Sequence, residues 1–467
     1  MKGQLAASSR HATLAQATTM NGLRIVTLFM WAACLGIILT IVASLVIQFV
    51  VPPPPSRLVL IKDIPLPGAL PDIYRTSTRP LAPGVAVPFD HFDFQAMDSK
   101  NHLLFIAHTG PNPAKEQQAN HRFNPSTDAK NDGNIIVFDT RRSTVIRILN
   151  IPQVRGIVVV PDLKKVYAAD SYDNAVYAID EKTFKAFPIH LQKNDAPESI
   201  EYDASDHLIF VSNLGSPANP DSSQVVEREN QNETVINALE DKVIGRIPLG
   251  IDGKWGDHVG QVRYDPGLHR IFVVVQQLPN PDDPKLLPPA GTARLIAIDP
   301  VRHSVVTRLA LPDTCFTPHG LAIDPQLHIA FIACVNSDPP SLVRVDLQTM
   351  RVIAEPPWPV QVKPDILAFD RASQLLYVGS AVGISVFKER GRQLQWLGTY
   401  SFGLNTHSVA VDPVTHDLYL PVPRLGNRPV LRIMHYDAGR QAAPPQPQQR
   451  GPSGTHRGGE RAHPGGA

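Results

Sequence analysis

A four-strand unit that recurs along the chain constrains this sequence more than any other feature. The stretch from Thr317 to Ile353 shows it best. His319-Gly320-Leu321-Ala322-Ile323-Asp324 is short and apolar, as an inner buried strand should be. Asp324-Pro325 then makes a turn: the aspartate accepts a local backbone hydrogen bond and the proline presets φ. Ile329 to Ala333 is a continuous apolar run, expected to be buried on both faces. Leu342 to Asp346 alternates with period two and reads as a half-exposed strand, and Met350 to Ile353 is the fourth. Such a unit cannot bury its faces alone, so it has to stack on copies of itself.

The copies are present. Inner-strand ends align at Met97-Asp98, Val160-Pro161, Tyr202-Asp203, Tyr264-Asp265, Ile323-Asp324, Phe369-Asp370 and Val411-Asp412. They are spaced roughly 40 to 60 residues apart, the period of a propeller blade with some long loops. Seven starts predict an all-β, seven-bladed β-propeller over residues 57–437. The last blade is short of strands before the pattern ends near Asp437. Leu58 to Leu66 resembles the fourth strands Val243–Leu249 and Val306–Leu311. Borrowing it from the N-terminal side closes the ring and removes an open sheet edge.

Charge narrows the partners. The chain holds 44 Lys and Arg against 43 Asp and Glu. Residues 1–51 carry Lys2, Arg10 and Arg24 and no acid, and the tail after Asp437 carries four Arg and one Glu. That leaves 37 basic against 42 acidic residues in the propeller, which weighs against nucleic acid as a partner. Of three cysteines, Cys34 lies in an apolar segment. Cys315 and Cys334 flank an inner hairpin, and antiparallel pairing brings them to one end of the blade. They are either a disulfide or two buried thiols.

Residues 1–24 are small and polar and read as a disordered cytoplasmic tail. Ile25 to Val51 runs without a charge for about 27 residues, long enough for a transmembrane helix. The basic N-terminal flank predicts a single-pass signal-anchor, with the N-terminus in the cytoplasm and the propeller extracytoplasmic. Residues 52–56 form a stiff Pro-rich spacer. Residues 438–467, rich in Pro, Gly and Arg, are expected to be disordered.

The unit resembles the YVTN-type β-propeller repeat family, which includes YncE-like proteins. The resemblance rests on Phe89-Asp90-His91-Phe92-Asp93 with Leu104 to His108, on Tyr172 to Asp180, on Pro318 to Asp324 and on Thr406 to Pro413. It implies the propeller fold and no particular activity, since the family mixes binding, surface and uncharacterised proteins.

In a propeller, inner strands line a central channel. Loops before them, and loops joining second to third strands, lie on one face. The long insertions after His108, Asn213 and Gln276 therefore form a canopy over the channel mouth. The first residues of the aligned inner strands are Asp93, Arg155, Glu198, Gly260, His319, Asp365 and His407, with His258 just before the glycine. Charge on buried strands needs a partner. The ring is either a set of mutual ion pairs around water or a ligand site, with Arg155 as a bidentate donor. Glu198, Asp365, His319 and His407 are the candidate ligands if a metal is bound. The chain has no nucleophile elbow, HExxH or CxxC. Asn131-Asp132-Gly133-Asn134 reads as a turn, and the sequon at Asn232 as incidental. The primary expectation is a membrane-anchored module binding a protein, glycan or small molecule without catalysis. The alternative is a metal-dependent hydrolase similar to lactonase-type propellers.

Overall fold

The recurring aspartate at the end of each inner strand organises the turns. Asp98 accepts from the backbone N–H of Lys100 and Asn101 (2.9 and 3.1 Å), and Asp265 from Gly267 and Leu268 (2.9 and 3.0 Å). Asp203, Asp324, Asp370 and Asp412 do the same. Each turn ends on a residue with positive φ: His102, His207, His269, His328, Gln374 and His416, and Lys164 in the one blade lacking the aspartate. The side-chain hydrogen bond sets the turn and the left-handed residue reverses the chain into the second strand.

A computed structural model describes residues 57–67, 91–109, 133–217, 228–229, 231–249, 258–276, 293–315, 317–335, 339–355, 358–426 and 428–437. Its strands form seven antiparallel blade sheets and a separate two-stranded ribbon of Ser216–Pro217 with Arg228–Glu229. The inner strands of blades one to six are Phe92–Asp98, Val154–Val160, Pro197–Asp203, His258–Asp265, Pro318–Asp324 and Pro364–Asp370. Blade seven orders Ala410–Val411, Asp417–Leu425 and Arg428–Asp437 from the centre outward, and Arg57–Pro65 completes it as the outermost strand. The N-terminal closure expected from the sequence is therefore present. Arg432 clamps it with two parallel bonds of 2.8 Å to both oxygens of Asp63.

The core lies between blades. Phe105 and Val137 of blade one pack with Ile157 and Val166 of blade two. Phe210 and Val235 of blade three pack with Val262 and Val273 of blade four. Phe92 and Leu104 pack with Tyr419 and Leu431, sealing the first blade onto the last. Burying each such side chain stabilises by roughly 1.5–3 kcal/mol.

The same turn residues also staple neighbouring blades. His269 Nε2 meets Asp206 at 2.7 Å, His328 Nδ1 meets Asp265 at 2.9 Å and His416 Nδ1 meets Asp370 at 2.7 Å. His207 lies 3.0 Å from Asp162. In blade six the turn residue is Gln374, and Glu389 approaches Asp324 instead. Burial, then Asp324, pushes the Glu389 carboxyl up to about 8.

One strand differs from its expected environment. Ser341–Asp346 alternates in sequence, yet Arg344 is only 2 % exposed. Glu355 takes Arg344 Nε and Nη2 at 2.7 and 2.8 Å, which lets the guanidinium be buried under the outer edge. The outer edge there is broken into Arg351–Val352 and Trp358–Pro359. The segments 1–24, 25–51, 52–56 and 438–467 lie outside the described residues. Among the described residues no helix is long and apolar enough to cross a membrane.

Candidate functional site

Six of the seven inner strands carry an irregularity at the level of the charged ring. Pairing with the second strand shifts register between Phe92 and Gln95, Val154 and Ile157, Pro197 and Ser199, Val259 and Val262, Pro318 and Gly320, and Pro364 and Leu367. These intervals contain Asp93, Arg155, Glu198, Gly260, His319 and Asp365. A β-bulge leaves its extra residue out of the ladder and re-aims the side chain. The repeat thus turns one residue per blade toward the channel axis at a common height. His407 precedes the shortened inner strand of blade seven.

Gly260 has a packing reason to interrupt the ring: a Cβ there would stand 2.9 Å from the His319 carbonyl oxygen. Gly320 repeats the arrangement more tightly, its Cβ position falling 1.8 Å from the Asp365 carbonyl oxygen. His258 sits opposite Gln276 at the start of its strand, and its side chain lies outside the described set.

The ring resolves into two ion pairs and one solitary acid. Arg155 Nη1 donates to Glu198 Oε1 at 2.8 Å and lies 2.7 Å from Oε2, and its Nε donates to Ser171 Oγ at 3.1 Å. His319 Nδ1 lies 2.6 Å from Asp365 Oδ1, while His407 Nε2 stands 3.9 Å from Asp365 Oδ2. The His407 ring in turn packs at 4.9 Å from His91, a residue the sequence pattern did not single out. Asp93 is 6 % exposed, and its carboxyl forms no hydrogen bond among the described residues.

The electrostatics follow from this layout. Burial, then the charge of Glu198, pushes Asp93 up to about 8 against the pull of Arg155. Burial opposes charge on His319, but Asp365, then Glu198 and Asp93, push it up to about 9. Burial raises Asp365, yet His319, with His407 and His91, holds it well below the usual carboxylate range. Burial also opposes charge on Arg155, and Glu198 and Asp93 outweigh it. These shifts favour the charged His319–Asp365 pair and the protonated form of Asp93.

Beneath the ring a contact crosses the channel. The Arg263 guanidinium of blade four lies 5.8 Å from the centre of the Phe94 ring of blade one. Gln261 accepts from Arg263 Nη2 at 3.1 Å and from the Leu321 N–H at 3.0 Å, and donates to the Asp365 carbonyl at 3.4 Å. Glu201 lies 3.9 Å from Arg263. The ring stands above this floor, forming a cup. Phe94 and Arg263 were not legible as site residues, because only the blade count places them across from each other.

The pairings of Phe92 with His108, Pro197 with Asn213 and His258 with Gln276 put the origins of all three long insertions on the mouth face. The insertions' own course lies mostly outside the described residues. Cys315 and Cys334 form a disulfide, and Cys334 pairs with Pro318 beside His319. It fastens the entry of that inner strand.

The four candidate metal ligands come to the mouth, but Glu198 belongs to Arg155 and Asp365 to His319. Among the described residues, the trio with ligating atoms within 4.8 Å of one another is Asp203, Asp206 and His269. It lies at the opposite face and is one of the inter-blade staples, with His269 Nε2 on Asp206 and Asp203 Oδ1 accepting from the Ser205 N–H. The hydrolase reading is therefore not favoured.

No family model matches the chain, and no curated protein matches it. Solved chains that match number 1665, so the fold is widespread and does not single out an activity. One is the hydrazine synthase of Kuenenia stuttgartiensis, with a TM-score of 0.55 and 13 % identity, covering 75 % of this chain and 99 % of that one. At that identity the likeness shows the propeller fold alone.

Proposed function

We propose that this propeller is a membrane-anchored, extracytoplasmic binding module whose site is the cup at the channel mouth, and that it holds its ligand without turning it over. The observation that carries this reading is the set of six bulges at the ring positions, above the Phe94–Arg263 contact. A merely structural ring needs paired charges, which Arg155–Glu198 and His319–Asp365 supply. It does not need Asp93 buried without a hydrogen bond. The Cys315–Cys334 disulfide supports an oxidising compartment, and the uncharged run 25–51 supports the anchor. The repeat's resemblance to YVTN-type propellers fits a binding role.

The test is thermal stabilisation of the full chain in detergent by a panel of neutral sugars, amino acids, small acids and peptides. A ligand that raises Tm in the wild type and not in Arg155→Gln supports the cup. A panel that stabilises both proteins equally, or neither, sinks it.

A further inference from the structure

The unsatisfied atoms at the mouth define a ligand class, an inference that rests on the cup being the binding site. Arg155 uses Nη1 for Glu198 and Nε for Ser171, and its Nη2 has no protein partner among the described residues. His319 uses Nδ1 for Asp365, and its Nε2 has none. Asp93 lies in the same ring at 6 % exposure, and among the described residues its carboxyl makes no hydrogen bond. The electrostatic neighbours of Asp93 are Glu198, Arg155, Asp365 and His319, which places these groups around one space. Glu198 Oε1 accepts from Arg155 Nη1 and Asp365 Oδ1 lies 2.6 Å from His319 Nδ1, so each acid is held by one cation. Among the described residues, Arg155 Nη2 and His319 Nε2 are the nitrogens of these cations left for a ligand.

We infer that the cup binds a small carboxylate, held by Arg155 Nη2 and His319 Nε2–H, with the Asp93 carboxyl facing it in the same ring. The two internal ion pairs cancel, so the frame is neutral and one added negative charge meets these two donors. A neutral polyol would satisfy the donors but gain nothing from the guanidinium and imidazolium charges. A phosphate would bring a second charge against Glu198 and Asp365 in a confined, poorly solvated space.

The arrangement ties affinity to pH. Asp93 faces Arg155 of blade two, Glu198 of blade three, His319 of blade five and Asp365 of blade six. Among the described residues blade four offers Gly260 at this height, with Arg263 below it, and blade seven offers His407 packed against His91. When Asp93 ionises, a neutral group becomes a negative charge beside the ligand. When His319 deprotonates, a positive charge is lost. Both changes weaken the complex, the first near pH 8 and the second near pH 9.

Calorimetric or NMR titration of the full chain with acetate and with its neutral isostere acetamide tests this. Acetate carries the group common to all small carboxylates, so its binding does not depend on the rest of the ligand. We expect saturable acetate binding at about pH 6.5 and an affinity roughly tenfold or more lower by about pH 9. Acetamide should not compete. Asp93→Asn keeps a neutral group of the same shape, so it should retain binding and lose the step near pH 8, leaving only the one from His319. Arg155→Lys should weaken binding and Arg155→Gln should abolish it. Acetamide competing as well as acetate overturns the carboxylate class while leaving the cup as a site. No acetate binding at the lower pH, or an Asp93→Asn profile identical to wild type, overturns the inference. Sugars or peptides that still stabilise in an Arg155-dependent way would show that the broader binding reading survives it.

Discussion

Nδ1 of His319 stands 2.6 Å from Oδ1 of Asp365 across the boundary between blades five and six. The bulges that aim both side chains inward also bring the two strands together, with Gly320 against the Asp365 carbonyl. Packing and charge are set by the same few residues.

This pair should make stability depend on pH at both ends. The folded state raises His319 from 6.5 to about 9, so its contribution is complete below about 6.5 and is lost as pH rises through 9. The folded state lowers Asp365 from 3.8, so its contribution is complete above that value and is lost as pH falls below it. Asp365→Asn should leave the imidazole without its partner, cost about 3 kcal/mol at neutral pH and bring the His319 titration, followed by NMR, down toward its ordinary value.

Asp93 acts in the opposite sense. Its folded value of about 8 lies above the unfolded 3.8, so stability is lost progressively as pH rises through that range. Asp93→Asn should therefore be more stable than wild type above about pH 8, by about 2 kcal/mol in chemical denaturation, and closer to neutral in effect near pH 4.

Gly320→Ala should be among the most damaging single-methyl changes in the protein. The added Cβ would fall 1.8 Å from a backbone oxygen, where no rotamer change relieves it. We expect a loss of about 3 kcal/mol or a failure to fold, while Gly391→Ala, at a turn with open space around it, should cost far less.

The ring closure should show energetic coupling. Asp63 and Arg432 lie 369 residues apart and meet bidentately. A double-mutant cycle of Asp63→Asn and Arg432→Gln should give a coupling of about 1 kcal/mol or more. Deleting residues through Leu66 should expose the Arg428–Asp437 edge and promote aggregation.

Reduction should lower stability without dismantling the fold. The disulfide closes a segment with a sequence separation of 19, for which chain entropy gives about 3 kcal/mol. Cys315→Ala with Cys334→Ala should lower Tm to the value the wild type shows under reductant, and reductant should have no further effect on the double variant.

The sequence by itself determined the blade. Asp324-Pro325 and its counterparts mark the turns, apolar runs such as Ile329 to Ala333 mark the buried strands, and Leu58 to Leu66 carries the pattern of a missing outer strand. These signals are local, set by backbone geometry and side-chain period, so they survive without knowledge of distant contacts. The ring positions were also legible, because each sits at a fixed place in the repeat. Only the tertiary structure decided how those residues are shared out. That Arg155 turns to Glu198 rather than Asp93 and that Phe94 and Arg263 meet beneath the ring depend on contacts between different blades, and that Arg344 is buried against Glu355 depends on how the outer edge of its own blade breaks. Ion pairing and burial are fixed by distances of a few ångströms between such segments, and one strand's composition carries no record of what faces it.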